Sequence, residues 1–270
     1  MSLSGQKVEL WKLRHAPWPR RLYVHLVGCT FVGGWLRLVY TRSALRRLAP
    51  NPARILDAGC GGGSFTLMAL RLFPGAEVEA VDFEATERFQ GQLAELQSLL
   101  AAKKIKNATV RKCDLTRFAE QNKYDLILNI DVLEHIPENK SVLRAFFHAL
   151  RPGGALALHM PLDKGPLYKN LFPKKTLQEL EHEHVGEMYT PEEMRNLLNE
   201  IGFRDLEIHG TFHWFGQTAW EWDRILYHRL HGIYPLLFPL IKFCGWLDVR
   251  LRLGKPFGMF VLARRPVGKQ

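Results

Sequence analysis

Several stretches of this 270-residue chain carry residue types that bind polar ligands or move protons. In Ile55-Leu56-Asp57-Ala58-Gly59-Cys60-Gly61-Gly62-Gly63 an acid precedes glycines spaced GxGxG. Such glycines let the backbone approach a ligand closely, and a helix that follows offers its first amides to a negative group. Asp82, 19 residues after Gly63, is an acceptor suited to ribose hydroxyls. Cys113-Asp114-Leu115 and Asn129-Ile130-Asp131 come next, followed closely by Glu134 and His135. A group that must lose a proton while acting as nucleophile needs a base nearby, and His135 is the first candidate; bracing of its own loop is the alternative role. His159 is a second histidine placed to point at a ligand. In Glu181-His182-Glu183-His184, His182 and His184 are further candidates, and Tyr189 is a residue for stacking.

These residues need elements that bring them together. From residue 54 to 161 short apolar runs alternate with helical stretches. Residues 54–57 read as a strand, 64–73 as a helix, 76–82 as a strand, and 84–102 as a helix with Phe89, Leu93, Leu96, Leu99 and Leu100 at helical spacing. Strands over 108–114 and 124–131 follow, then a helix over 138–150 stopped by Pro152-Gly153-Gly154, and a strand over 155–160. Strand–helix alternation implies a mainly parallel sheet with right-handed crossovers. In such a sheet the strand ends carrying Asp57, Asp82, Asp114 and Asn129 meet along one crevice, where ligands bind. Residues 161–190 lack a regular period and read as a loop or lid. Thr190-Pro191-Glu192-Glu193 opens a helix with a capping box, which runs to about Gly202. Strands over 203–209 and 257–263 bracket an insertion too long for a simple loop.

At these residues the chain resembles the class I S-adenosylmethionine-dependent methyltransferases, closest to the type-11 branch with the quinone-biosynthesis enzymes. The motifs concerned are Asp57–Gly63, Asp82, Cys113-Asp114-Leu115 and Asn129–His135, in order and spacing. The resemblance implies an α/β, Rossmann-like sheet of seven strands with helices on both faces, 257–263 being its antiparallel strand beside 203–209. It implies S-adenosylmethionine as cofactor. Gly59, Gly61 and Gly63 would then face its methionine part, Cys60 of the same loop being counted among the cofactor-binding residues, with Asp57 beneath the loop. Asp82 would bind the ribose and Phe83 would pack on adenine. Asp114 would accept from the adenine amino group, Leu115 would cover the ring, and Asn129 would lie near the amine and carboxylate. Glu134, His135, His159 and His184 are the catalytic candidates. Asp131, Glu134 and His135 resemble a divalent-metal ligand set of some quinone O-methyltransferases, but the reading adopted has no metal.

The core resembling that family is 51–210 with 256–266; 1–50 and 211–255 are additions, both expected to be helical. Residues 1–50 hold nine Lys and Arg against Glu9, residues 211–270 nine against three acids, and the middle 19 against 23. The net +10 is therefore +8, −4 and +6, and all seven tryptophans lie outside the middle. Basic, Trp-rich, aliphatic flanks have the composition of helices lying at an anionic membrane surface. A substrate cover is the alternative, and nucleic acid is disfavoured because no stacking platform is evident. The uncharged run from Leu22 to Leu36 falls short of the ~20 residues of a membrane span, and it makes a poor signal peptide. The apolar run 233–246, interrupted by Pro235, Pro239 and Lys242, reads as short, broken segments. Four scattered cysteines without a CxxC pair point to a reducing compartment.

The expectation is a methyltransferase at the cytoplasmic face of a membrane. Its acceptor would be hydrophobic or membrane-associated, a lipid, quinone precursor or lipid-linked sugar, with oxygen slightly preferred. A soluble natural-product O-methyltransferase and a non-catalytic cofactor-binding scaffold are the alternatives.

Overall fold

The computed structural model describes residues 13–29, 31–48, 51–84, 90–162, 165–172, 185–230 and 233–268. Two helices, α1 (Trp18–Val27) and α2 (Val32–Leu45), precede β1 (Arg54–Ala58), α3 (Ser64–Leu72), β2 (Glu77–Asp82), α4 (Gln92–Ala102) and β3 (Ala108–Lys112). Then come β4 (Tyr124–Ile130), α5 (Asn139–Ala149), β5 (Leu150–Pro161), α6 (Pro191–Ile201) and β6 (Arg204–Thr211). Helices α7 (Trp214–Arg229) and α8 (Tyr234–Leu251) form the insertion, and β7 (Gly258–Arg264) ends the sheet.

The seven strands are ordered β3-β2-β1-β4-β5-β7-β6. Strands β1 to β5 pair in parallel, and β7 runs antiparallel between β5 and β6. Side-chain alternation along β1 sends Ile55 to one face and Leu56 to the other. Leu56, Val81, Phe146 and Leu198 build the layer under α5 and α6, while Ile55, Leu128, Met68 and Leu45 build the layer under α2 and α3. Strand β4 is buried along nearly its whole length, which is why its sequence is almost continuously apolar. Winding reverses between β1 and β4, so a crevice opens at their carboxyl ends.

Several boundaries differ from expectation for local reasons. Strand β5 begins at Leu150, because Pro152-Gly153-Gly154 is absorbed as an irregularity of the strand, with Gly153 at φ +82° and its amide on the Arg265 carbonyl. Helix α4 starts at Gln92, after Gly91 in the left-handed region; residues 85–89, with Phe89, lie outside the described residues. The 233–246 run is not broken: α8 continues through Pro239. Proline cannot donate to the carbonyl four residues back, but that carbonyl, on Pro235, accepts the Tyr23 hydroxyl at 2.7 Å instead. The N-terminal flank is not separable from the sheet either, since Leu38, Ala44 and Leu45 of α2 belong to its core. Trp18–Leu45 is long and apolar enough to cross a membrane by length and composition. The chain instead breaks it at Gly28 (φ +89°) and buries Val32, Leu36 and Tyr40 of α2.

The other end of α2 packs with α7, α8 and the 165–172 segment in a separate cluster around Phe172, Phe212, Trp220 and Phe238. Buried acids fasten this cluster. Asp223 accepts the Val32 amide at 3.0 Å and the Tyr234 hydroxyl. Asp248 accepts the Tyr40 hydroxyl and, at 3.2 Å, the His213 amide. Glu221 accepts the Leu167 and Tyr168 amides, each at 2.8 Å. Replacing a fully buried acceptor strands its donors, so Asp248→Ala should lower unfolding free energy by about 2–3 kcal/mol in urea denaturation. A loss near zero would show that Asp248 is not a fastening point.

Candidate active site

The crevice is built from the ends of β1, β2 and β4. Gly59 and Gly63 have φ of +84° and +82°, and a Cβ on either would strike Val132 or Leu96 at 2.2 or 2.3 Å. Those two glycines shape the loop by close packing of protein on protein. Gly61 lies at φ +47°, and its amide donates to Asp82 Oδ2 at 2.9 Å; Asp82 Oδ1 accepts the Glu84 amide at 2.8 Å. Asp82 thus ties the loop to β2 while a carboxylate's remaining lone pairs stay able to accept from another ligand. Asp57 lies beneath, buried, accepting the Thr66 hydroxyl at 2.6 Å. Burial pushes its pKa up to about 7, with Thr66 opposing and Asp82 adding to the rise.

Cys60 and Leu115 depart from their expected places. The Cys60 side chain packs with Leu67, Ala80 and Leu93, its thiol pKa raised by burial, and its amide is used by the Val81 carbonyl at 2.9 Å. Leu115 sits in the core with Phe118 and Phe146 because the short helical turn Leu115–Arg117 rotates it inward. Asp114 caps that turn, accepting from the Thr116 amide at 2.9 Å and hydroxyl at 2.7 Å, bonds that lower its pKa. Phe83 is half exposed beyond β2, with the Lys112 ammonium 5.5 Å from its ring centre.

Asn129 is fully buried and donates to the Ala58 carbonyl at 2.9 Å, bridging the gap between β1 and β4. Its Oδ1 has no hydrogen-bond partner among the described residues. An orphaned buried acceptor at this place calls for a donor such as an ammonium group. Helix α3 begins close by at the glycine loop, and no side chain caps it. Its first-turn amides suit a carboxylate.

Beyond Asn129 lies a charged network. Asp131, held at φ +53°, is ion-paired with Arg37 of α2 and with His159 of β5. Burial alone would raise the Asp131 pKa, but Arg37 and then His159 overcome it and hold it at about 2. Glu134 is raised well above the usual range by burial and by the Asp131 charge, so it is the neutral member. Its Oε2 has no hydrogen-bond partner among the described residues.

His159 is not free to point at a ligand, contrary to expectation. It is buried, with one ring nitrogen on Asp131 and the other 2.9 Å from the Thr211 hydroxyl oxygen. His135 is partly exposed on the short helical turn Leu133–His135, its Nε2 3.9 Å from Glu134 Oε1. Tyr189 is no stacking surface: it is buried and donates to Asn139 Oδ1 at 2.7 Å. His182 and His184 lie outside the described residues. Among the described residues no group of three His, Cys, Asp or Glu is arranged to hold a metal, and Asp131 is already engaged by Arg37 and His159.

Sequence reasoning missed Arg37, Thr66, Thr211 and Gly186. Arg37 did carry a signal, as the first charge after an uncharged run. Gly186 donates to the Glu134 carbonyl at 2.9 Å, and a Cβ there would meet the Leu133 carbonyl oxygen at 2.5 Å. The chain re-entering at 185–187 therefore rests directly on the Glu134-His135 turn.

The family described as "Methyltransferase domain" matches residues 35–208. The chain is 37% identical over 124 residues to the ubiquinone biosynthesis O-methyltransferase of Xanthomonas axonopodis pv. citri, covering 46% of this chain and 48% of that one. It is 32% identical over 126 residues to the trans-aconitate 2-methyltransferase of Variovorax paradoxus, covering 45% of each. The match thus spans about half the length of these relatives. A similar fold occurs in the Haemonchus contortus phosphoethanolamine N-methyltransferase 2 complex with S-adenosyl-L-methionine. That likeness has TM-score 0.60 and 19% identity, and covers 84% of this chain and 52% of that one.

Asp57 keeps a proton in the folded chain that it has lost when unfolded between the ordinary carboxylate pKa and about 7. Its stabilising share is complete below that range and lost as pH rises through about 7; Asp223, raised by burial to about 6, acts in the same direction. Without cofactor, unfolding free energy should fall from about pH 5 to about pH 8, and Asp57→Asn should flatten the upper part. Urea midpoints across that range check it; an unchanged slope in the variant would contradict the assignment.

Proposed function

The chain belongs to the methyltransferase-domain family, and from that premise we propose that it is an S-adenosylmethionine-dependent methyltransferase that methylates a hydrophobic acceptor, preferably at oxygen. The observation that carries the acceptor reading is the aromatic cover that adjoins the crevice. Phe212 lies 5.9 Å from the His159 ring, 6.1 Å from Tyr40 and 5.7 Å from the Arg37 guanidinium. From there Trp220, Phe172, Phe31 and Trp35 continue the apolar cluster. Walls of this kind favour an acceptor whose body is apolar and exclude water from the reacting atoms. The preference for oxygen is supported by the O-methyltransferase among the relatives.

The cofactor supplies a methyl group activated by its sulfonium. In this reading Asn129 Oδ1 and the open amides of α3 receive its amino and carboxyl ends, Asp82 its ribose hydroxyls, and Phe83 and Asp114 its adenine. Asp57 supports the loop from below. His135 takes the acceptor's proton, and neutral Glu134 braces its turn from the buried side. Arg37 and His159 keep Asp131 ionised and fixed behind them.

Calorimetry should show cofactor binding by the wild type and none by Asp82→Ala; retained affinity would remove Asp82 from the site. His135→Ala should slow transfer to a hydroxyl acceptor by about a hundredfold with cofactor affinity intact. An unchanged rate would leave His135 only a brace. Labelled methyl from the cofactor, offered a native extract, should enter the organic-soluble fraction; label confined to water-soluble products would overturn the acceptor reading.

A further inference from the structure

Away from the crevice, α1 and α8 carry apolar side chains that the chain leaves uncovered. Helix α8 buries Phe238, Ile241, Gly245 and Asp248. On its other side Leu236, Leu240, Phe243 and Trp246 recur at helical spacing and are 78%, 67%, 56% and 42% exposed. Helix α1 repeats the pattern at four-residue intervals, with Trp18, Leu22 and Leu26 exposed by 72%, 46% and 74%. The helices are neighbours: Tyr23 donates to the Pro235 carbonyl, and the Lys242 ammonium donates to the Val27 carbonyl.

Among the described residues, the exposed charges nearby are of one sign. Arg20 and Arg21 are exposed on α1, and Arg252 and Lys255 are exposed after α8. The Arg250 guanidinium stands 5.2 Å from the ring centre of Trp246, where the stripe ends. Neither helix contains an acid except Asp248, which is fully buried. We propose that α1 and α8 form a docking face for an anionic lipid bilayer, with Leu236, Leu240, Phe243 and Leu26 entering the headgroup boundary and the arginines meeting lipid phosphates. Exposed apolar stripes edged by arginine and free of exposed acid match such a surface in polarity and charge. Against a second copy of the chain the same stripes would set arginines against arginines. The cytoplasmic leaflet, with its anionic lipids, is the membrane face that fits.

The docking face lies on the side of α8 away from α2, so this inference does not depend on the acceptor reading. The test is flotation of the full chain with vesicles of phosphatidylglycerol and phosphatidylcholine, beside phosphatidylcholine alone. The wild type should float with the anionic vesicles and be released by about 0.5 M salt. The double variant Leu240→Glu, Phe243→Glu should reduce the bound fraction about tenfold, with thermal midpoint and cofactor affinity unchanged. Arg20→Glu with Arg21→Glu, which leaves the apolar stripe intact, should weaken binding to anionic vesicles. No flotation, or flotation undiminished in the folded Leu240→Glu, Phe243→Glu variant, would overturn the proposal. So would self-association removed by that variant in the absence of flotation, which would assign the face to a second copy. Flotation without methyl transfer into the organic phase would count against the acceptor reading alone.

Discussion

Asp131 is a buried carboxylate that stays ionised only because Arg37 and His159 reach it from different elements. Much else follows from that one charge. A buried ion pair adds little net stability, but removing one partner leaves an unpaired charge and costs about 3–5 kcal/mol. Helix α2, which brings Arg37, is therefore bound to the end of β4, and the flank that carries it forms part of the crevice wall. The same negative charge adds to burial in keeping Glu134 neutral. It also sets the orientation of His159, whose other ring nitrogen meets Thr211 at the end of β6. One carboxylate thus correlates α2, β4, β5 and β6 around the crevice.

The insertion uses buried acids in a related way. Each of its three acids accepts a backbone amide at the start of a distant segment. Val32 is the first residue of α2, which no nearby side chain caps, and Asp223 supplies the missing acceptor from α7. His213 precedes α7 and donates to Asp248 of α8. Leu167 and Tyr168 precede the short turn Lys169–Leu171 and donate to Glu221. Amides at helix starts lack partners within the helix, and they carry the positive end of its dipole. A carboxylate answers both needs, which explains why acids rather than apolar residues occupy these interior positions.

The parallel sheet was legible because its signals are local: alternation of strand and helix, a glycine cluster, and an acid at or just past the ends of the first four strands. Asp57, Asp82 and Asn129 could be placed at the crevice on order alone. What was not legible depended on contacts distant in sequence. His159 looked available to a ligand until Asp131 and Thr211 are seen on its two nitrogens. Leu115 was turned inward by one short helical turn, and Tyr189 was held inward by Asn139. The unbroken course of α8 depended on Tyr23, about two hundred residues earlier, supplying a donor that Pro239 lacks. Counting residue types finds a proline but not the hydroxyl that compensates for it.

Charge counting has the same blindness, and correcting for it changes the meaning of the net +10. Residues 211–270 sum to +6 because three acids offset nine bases. All three acids, Glu221, Asp223 and Asp248, are buried and bonded to the protein's own amides and hydroxyls. They contribute little to the field felt outside, whereas Arg229, Arg250, Arg252 and Lys255 are exposed. The insertion itself, 211–255, sums to +3, six bases against these three acids, so with the acids buried its outer surface is more positive than that sum. In the N-terminal flank the described residues contain no acid, and Arg37 is withdrawn to neutralise Asp131 while Arg20 and Arg21 remain outside. Folding therefore sorts these flank charges by place, Arg37 inward to the crevice and Arg20, Arg21, Arg250 and Arg252 outward near the apolar stripes.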